Sequence, residues 1–371
     1  MIAGLDAWLR SVGAADAPAL ESALERLLDT AGAPMRFDGG QTLRPAQVHR
    51  VRFREESDAA CEGPLHCLVI KRLSLDRSHR EQRAVRHWLP RVGLGAHGAP
   101  LLEVAAPPRA ACVWHMYEDL GDGTLARFAA EPGESREEMV RAALALVAAL
   151  HLRFASHPLL ADCRLAGIDL GAGFFAASIG DALRSLVALR RREDLPREQQ
   201  PLIDCLLERL TALDDQRDVR TREVAELGWP ETLLHGDLWL TNFMLVPGAG
   251  RPHVRLIDWD RAGIGAALYD LSTFLRQFSP VERPWILAAY RACAERAGWP
   301  WPERGLFDRI AETCELGRFA SCLAWRTLSV LEHRSGADSP PQWLFDDLVE
   351  MESWFAERTP LLPSLDRASA P

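Results

Sequence analysis

The chain has 371 residues, enough for two domains or for one large fold with two lobes, and 48% of them are apolar, which suffices for a sizeable core. A net charge of −9 argues against a general nucleic-acid-binding protein, which would carry a basic face. No apolar run reaches the roughly 18 residues of a membrane span, and the first residues lack the pattern of a signal peptide.

Cysteine usage and charge distribution add two expectations. The eight cysteines are scattered and form no CxxC pair, which predicts reduced thiols in a cytoplasmic protein. Acidic and basic residues balance over residues 1–120, so the whole negative excess lies in residues 121–371. Such an excess is typical of a solvated acidic surface or of a site that attracts cations, and the sequence leaves both open.

The first third of the chain is predicted to be a small β-rich unit with a helical N-terminal extension. Residues 1–32 have helical periodicity, for example at Leu5, Trp8 and Leu9. Strands are predicted for the segments "VHRVRF", "LHCLVIKRL" and "AACVWHMYEDL", because they alternate or form short apolar runs. The segment "SHREQRAVRHWL" between two of these strands is predicted to be a helix.

The rest of the chain is predicted to be mainly helical. Helical patterns recur at 177–192, 201–213, 284–297 and 306–333. The exception is a predicted hairpin, in which the apolar runs "FMLV" and "VRLI" flank the turn-forming segment "PGAGRP". We therefore divide the chain into an N-terminal lobe, residues 1–120, and a C-terminal lobe, residues 121–371.

Polar residues lie at both ends of this hairpin. Asn242 precedes the first strand and Asp258 follows the second, so the hairpin should place them side by side. Two neighbouring oxygen-bearing side chains suit Mg²⁺. Asp237 lies five residues before Asn242 on an irregular loop, from which it could accept a proton from an alcohol.

The segments "LLHGDLWLTNFML" and "VRLIDWD" resemble the aminoglycoside phosphotransferase and choline kinase family, the small-molecule branch of the protein-kinase-like fold. The spacing from Asp237 to Asn242 equals that of the kinase catalytic loop, with Gly236 where protein kinases have Arg. The following segment "GIGAALYDLSTF" also resembles the family, and Asp270 within it is expected to fix the catalytic loop. The resemblance implies an α+β, bilobal, protein-kinase-like fold with a small β-rich N-lobe and a larger, mainly helical C-lobe.

Lys71 is the only lysine in the chain and ends the run "LVIK" before the predicted helix. The resemblance implies that Lys71 contacts the α- and β-phosphates and pairs with a helix glutamate, for which Glu81 is the best candidate. A compact ammonium fits a narrow slot that a planar guanidinium does not, which explains a lysine in an Arg-rich sequence. The alternative is that this one lysine falls there by chance.

The remaining nucleotide contacts are less specific. The resemblance implies that backbone groups of Tyr117 and Asp119, in "HMYEDLGDGTL", bind the base, although this stretch also fits an ordinary buried strand. Gly39 and Gly40, between predicted strands, either cover the phosphates with backbone N–H groups or form an ordinary hairpin turn. Neither His235 nor His151 is assigned a catalytic role: His235 is expected to brace the catalytic loop through hydrogen bonds, and His151 resembles a recurrent core histidine of the family.

These residues predict an ATP- and Mg-dependent kinase that transfers the γ-phosphoryl group to a hydroxyl of a small molecule, with GTP left open as the donor. The acceptor would be an amine-bearing or sugar-like alcohol, such as an antibiotic or an amino alcohol. We expect no nucleic-acid or membrane partner, and the oligomeric state stays open. Alternatives are a non-catalytic nucleotide-binding protein of the same fold, a protein kinase, which the lack of an Ala-Pro-Glu segment disfavours, and an enzyme that transfers AMP.

Overall fold

The computed structural model describes residues 2, 4–11, 17–29, 35–44, 47–55, 64–106, 111–129, 134–227, 229–248, 253–331 and 342–356. The contacts between Cα atoms divide the chain into two compact units. The first contains residues 1–143 and 240–262, and the second contains residues 144–239 and 263–371. The predicted division at residue 120 stays a prediction.

The first unit is built on a five-stranded antiparallel sheet. Its strands lie in the order β1-β2-β3-β5-β4, and each strand pairs antiparallel with its neighbours in this order. Strand β5 is therefore inserted between β3 and β4, which do not pair with each other. The strands are β1 (Met35–Arg44), β2 (Val48–Glu55), β3 (Leu65–Ser74), β4 (Leu101–Ala105) and β5 (Cys112–Glu118).

One face of this sheet packs on the N-terminal helices α1 (Leu5–Ser11) and α2 (Ala17–Asp29). Because side chains alternate along a strand, every second residue of β2, β3 and β5 enters this core. The strand residues that do so are Val51, Phe53, Leu68, Ile70, Trp114 and Met116. Two N-terminal helices therefore cover this face of the sheet.

A longer helical stretch follows β3. It consists of α3 (Leu75–Arg83), one π-helical turn (Ala84–Trp88) and α4 (Leu89–Arg91). Trp88 and Leu89 are buried, as the predicted helix requires, whereas the buried residues of α3 itself are polar.

The predicted hairpin is present as β8 (Phe243–Val246) and β9 (His253–Leu256), which pair antiparallel. Residues 249–252 of its turn lie outside the described residues. Helix α5 (Leu125–Ala129) and the first part of α6 (Glu134–Phe154) complete this unit.

The second unit is mainly helical. Helix α8 buries residues spaced three or four apart, namely Phe175, Ile179, Ala182, Leu186 and Leu189, which is the pattern of a helix with one apolar face. This face joins a core shared with α9, α13 and α14. The helices are α7 (Leu160–Ala166), α8 (Phe174–Arg190), α9 (Gln200–Asp214), α10 (Arg217–Ala225), α11 (Leu268–Arg276), α12 (Arg283–Arg296), α13 (Arg304–Leu331) and α14 (Gln342–Ala356).

A small three-stranded sheet lies in the same unit. Strand β10 (Gly263–Gly265) pairs parallel with β6 (Ile168–Leu170) and antiparallel with β7 (Thr232–Leu234). A Cβ atom at Gly263 or Gly265 would lie 2.4 Å from a backbone oxygen of β6, so this close approach requires glycine at both positions.

The α+β class is confirmed by these elements. The seven cysteines that the structure describes form no disulfide, and Cys61 lies outside the described residues. In the described part of the chain, the search for helices that could cross a membrane found none of sufficient length and apolarity.

Candidate active site

The ammonium of Lys71 is the centre of a buried charge cluster in the first unit. Its Nζ atom lies 2.8 Å from Oε2 of Glu81 and 2.5 Å from Oδ1 of Asp258. Burial alone would lower the pKa of Lys71, but the carboxylates of Glu81, Asp258 and Asp260 together raise it above its usual value. Lys71 therefore stays charged, and the structure brings together the predicted Lys71–Glu81 pair.

Three elements bring these groups together. Strand β3 directs Lys71 away from the face covered by α1 and α2, because its neighbour Ile70 enters that core. Helix α3 contributes Glu81, which is 2% exposed. Asp258 follows β9 in the left-handed backbone region, with φ of 70° and ψ of 55°, a conformation that is uncommon for a non-glycine residue and is enriched at functional sites.

Asp260 belongs to the same cluster, and the sequence analysis missed it. Its carboxylate lies 3.6 Å from Lys71 Nζ and 3.7 Å from a guanidinium nitrogen of Arg77. Its backbone carbonyl accepts a hydrogen bond of 2.8 Å from Nε of Arg80. Burial, with the charge of Asp258, raises the pKa of Asp260 to about 6. The only signal in the sequence is a second acid two residues after Asp258.

The two ends of the hairpin meet as predicted. Phe243 pairs with Leu256, and the next backbone hydrogen bond runs from the N–H of Ile257 to the carbonyl of Asn242 at 2.9 Å. Asn242 and Asp258 therefore occupy neighbouring strand ends.

The donor chemistry of this region fits a hard divalent cation. Glu81, Asp258 and Asp260 each offer a carboxylate oxygen, and these oxygens lie within 4.8 Å of one another. With the side-chain oxygen of the nearby Asn242, the available donors are all oxygens, the type that Mg²⁺ prefers.

A cavity of about 310 Å³ opens beside Lys71. Apolar side chains of β2, β3, β8 and the residue after β9 form much of its wall, and polar groups lie at two places, around Lys71 and around Asp119. The residues that line it include Lys71, Glu81, Tyr117, Glu118, Asp119, Leu120 and Asp258.

The predicted base-binding segment borders this cavity. Met116 enters the core under α1 and α2, whereas the side chain of Tyr117 lines the cavity. The N–H of Asp119 donates to the carbonyl of Cys67 at 3.4 Å, and its carboxylate pairs with Arg50 at 2.7 Å. Both predicted residues are thus at the cavity, with Tyr117 present through its side chain.

Gly39 and Gly40 lie inside strand β1, where they pair with Arg52 and Val51. The interpretation of this pair as a hairpin turn is wrong, because the chain reverses only after Arg44. A Cβ atom at Gly40 would lie 2.2 Å from the ring of Trp8, so close packing on α1 explains this glycine. Neither glycine is among the residues that line the cavity, and contact with phosphates stays a prediction.

The loop that contains Asp237 belongs to the second unit and is held by buried hydrogen bonds. Asp270, which is fully buried, accepts the backbone N–H groups of His235 at 2.8 Å and Gly236 at 3.0 Å. Its carboxylate also lies 3.3 Å from Nε2 of His151. Asp270 and the two histidines thus have the structural contacts expected of them. Asp237 is half-buried and accepts a hydrogen bond from the indole of Trp239.

A five-stranded antiparallel sheet, a helix that presents a glutamate to a strand lysine, and a mainly helical second unit define a protein-kinase-like fold. The chain belongs to the phosphotransferase enzyme family, because a sequence model of that family matches residues 50–304. This match confirms the resemblance and the prediction that the protein is a phosphotransferase. A search of curated proteins gives no match to the sequence.

Solved structures provide the second comparison. The chain is similar to an ethanolamine kinase from Plasmodium vivax, with a TM-score of 0.53 and 11% identity over 87% of this chain and 82% of that one. It is also similar to an aminoglycoside-3'-phosphotransferase of type VIII, with a TM-score of 0.49 and 21% identity over 81% of this chain and 99% of that one. A third similar structure is a macrolide 2'-phosphotransferase from Brachybacterium faecium, with a TM-score of 0.49 and 16% identity over 88% of this chain and 97% of that one. The first of these supports the fold.

Proposed function

We propose that the protein is an ATP- and Mg-dependent small-molecule kinase that transfers the γ-phosphoryl group to a substrate hydroxyl. The observation that carries this proposal is the buried ammonium of Lys71, held by Glu81 and Asp258 at the wall of a cavity of about 310 Å³. A fixed cation beside a largely apolar cavity suits a ligand with a flat base and a charged phosphate chain.

The nucleotide would lie with its base against the segment that follows β5. The proposed base contacts are the backbone groups of Tyr117 and Asp119, both of which line the cavity. Lys71 would contact the α- and β-phosphates. GTP stays open as an alternative donor.

Asn242 and Asp258 would hold Mg²⁺, which when bound neutralises charge on the β- and γ-phosphate oxygens. Asp237 would orient the acceptor hydroxyl and take its proton, in keeping with its place five residues before Asn242 in the kinase-like loop. Its carboxylate is well suited to this role because Trp239 holds one oxygen at 2.9 Å.

The acceptor we propose is a small alcohol that carries an amine or resembles a sugar. Two observations support this: membership in the phosphotransferase enzyme family and the excess of acidic residues after residue 120. The acidic excess favours acceptors with positive charge, such as amino alcohols and amino sugars, over neutral ones.

An ADP-release screen on the full chain tests the proposal. The acceptors are amino alcohols, amino sugars, neutral sugars and macrolide-like alcohols, each assayed with ATP–Mg and with EDTA. The wild type should release ADP with at least one acceptor and only with Mg²⁺. Asp237→Asn should lose nearly all turnover while its ATP affinity stays within about twofold. Full activity of Asp237→Asn would remove Asp237 from the mechanism.

The same preparation separates the alternatives. Stabilisation by ATP–Mg in a thermal-shift assay, without ADP release above background for any acceptor, would favour a non-catalytic nucleotide-binding protein. Labelling of peptides rather than small molecules would favour a protein kinase. Mass spectrometry of the product distinguishes transfer of phosphate from transfer of AMP.

A further inference from the structure

A series of buried hydrogen bonds joins helix α3 to strand β5 beside the cavity. Oγ of Ser78 lies 2.7 Å from Nε2 of His115, and Nδ1 of His115 lies 2.8 Å from the hydroxyl oxygen of Tyr117. The side-chain amide of Gln82 donates to Oγ of Ser78 at 3.0 Å. Ser78 and His115 are 3% and 0% exposed, so these groups satisfy one another rather than binding solvent.

The donors and acceptors of this series have two possible orders. His115 is neutral, because burial and the charge of Lys71 lower its pKa to about 3. A neutral imidazole has one N–H. In the first order Ser78, which accepts from Gln82, donates its single hydrogen to Nε2 of His115, and the imidazole hydrogen is on Nδ1 and points to the Tyr117 oxygen.

The hydroxyl hydrogen of Tyr117 is thereby left for Glu81. Burial, and after it the charge of Glu81 and a hydrogen bond to its carboxylate, raise the pKa of the Tyr117 hydroxyl. In the opposite order Tyr117 would donate to His115, and its oxygen would face the Glu81 carboxylate with no hydrogen between them. The carboxylate of Glu81, which pairs with Lys71, therefore selects the first order.

Polar contacts are the main attachment of α3 to the sheet. The buried residues of α3 are Ser78 and Glu81, which lie three residues apart and hence on one face of the helix. A movement of α3 that breaks the contact between Ser78 and His115 would also displace Glu81, and with it the partner of Lys71 at 2.8 Å.

We propose that Ser78, His115 and Tyr117 are positioning residues that hold Glu81, and through Glu81 the ammonium of Lys71, in place for nucleotide phosphates. This inference rests on the proposed function. It predicts a specific defect: without the series, binding of the phosphate chain weakens while binding of the base and ribose does not.

Affinities for ATP and adenosine, measured by isothermal titration on the full chain, test this. Ser78→Ala should bind ATP about tenfold more weakly than the wild type, with adenosine affinity within about twofold. The matched control is Ser185→Ala, because Ser185 is 4% exposed, close to the 3% of Ser78, and donates to the carbonyl of Ala182 within α8. Unchanged ATP affinity in Ser78→Ala, or an equal loss for ATP and adenosine, overturns the proposal.

Two variants of His115 test which contact of the imidazole holds Glu81. His115→Asn can keep a hydrogen bond to Tyr117 from the position of Nδ1, whereas His115→Gln can keep one to Ser78 from the position of Nε2. Because Tyr117 is the member of the series next to Glu81, His115→Asn should keep more of the wild-type ratio of ATP to adenosine affinity than His115→Gln. The reverse ranking, or an equal loss in both, contradicts a link from His115 to Glu81 through Tyr117. Failure of the wild type to bind ATP would instead refute the proposed function, so the two failures are distinguishable.

Discussion

The indole N–H of Trp239 donates a hydrogen bond of 2.9 Å to Oδ1 of Asp237. The indole is itself held on its face by the guanidinium of Arg318, which lies 5.0 Å from the ring centroid and is 5% exposed. A carboxylate that accepts a proton from an alcohol must keep a fixed orientation, and this contact fixes one of its oxygens.

Replacing Trp239 with Phe removes the N–H and keeps an aromatic ring for Arg318. Because a hydrogen bond to a charged group contributes about 1.5–3 kcal/mol, we expect kcat to fall about 10- to 100-fold. The KM for ATP should stay within about twofold. Steady-state ADP release with an acceptor identified in the screen measures both constants.

The matched control is Trp229→Phe, which removes an indole hydrogen bond of 2.6 Å to the carbonyl of Pro300 in the same unit. That variant should keep kcat. Equal rates for Trp239→Phe and the wild type would show that the contact does not orient Asp237 for the reaction.

Lys71→Arg keeps the positive charge but replaces a compact ammonium with a planar guanidinium. The slot between Glu81 and Asp258 fits an ammonium at 2.8 and 2.5 Å, and a planar guanidinium cannot occupy it without displacing a carboxylate. We expect kcat/KM for ATP to fall about 100-fold, since disturbing a buried ion pair costs about 3 kcal/mol or more. Arg52→Lys, at an exposed position of β2, is the control. A wild-type kcat/KM in Lys71→Arg would show that position 71 requires a positive charge but not the compact shape of an ammonium.

The sequence predicted the elements whose pattern is complete within a short segment. Strands β2, β3 and β5, the hairpin of β8 and β9, and the long helices all have a clear period or flanking turn residues. Strands β6, β7 and β10 have three residues each and pair with partners far away in the sequence. Three residues are too few to establish a period of two, so local pattern could not find them.

The candidate site follows the same distinction. Asp237, Asn242 and Asp258 could be named because their spacing is encoded in one segment. The cluster position of Asp260 depends on Lys71 and Arg77, which come from distant segments. The orientation of β5 was not predictable, because "VWHMY" has large side chains on both faces of the strand. The pattern therefore does not show that Met116 enters the core while Tyr117 lines the cavity.

Asp270→Asn should destabilise the protein and slow turnover together. The carboxylate accepts two backbone N–H groups, from His235 and Gly236, and an amide would offer only one acceptor oxygen. Because one buried N–H would lose its partner, we expect unfolding free energy to fall by about 2–4 kcal/mol. Urea unfolding monitored by tryptophan fluorescence measures this. Asp204→Asn, which affects an exposed pair with Arg190, should cost under about 1 kcal/mol. Similar losses in both variants would contradict a special role of Asp270.

Gly40→Ala separates packing from phosphate binding. The added methyl group would lie 2.2 Å from the Trp8 ring, so α1 must shift, at a cost of about 1–3 kcal/mol. ATP affinity should stay within about twofold, because Gly40 does not line the cavity. Gly173→Ala is the control, since no atom lies within 4 Å of a Cβ atom there. A stable Gly40→Ala variant with weakened ATP binding would restore the interpretation of this glycine as part of a phosphate loop.

His115 should make stability depend on pH in a defined direction. Its pKa in the folded protein is about 3, against about 6.5 in an unfolded chain. A base with a depressed folded pKa stabilises the protein above the unfolded value, and this contribution is lost as the pH falls from about 6.5 towards 3. At pH 5 the unfolded state gains about 2 kcal/mol from protonation of His115 that the folded state does not. We therefore compare urea unfolding of the wild type and His115→Asn at pH 8 and pH 5. The wild type should lose about 2 kcal/mol more than the variant, because every other titrating group is common to both. Equal losses would show that burial does not lower the pKa of His115 in the folded protein.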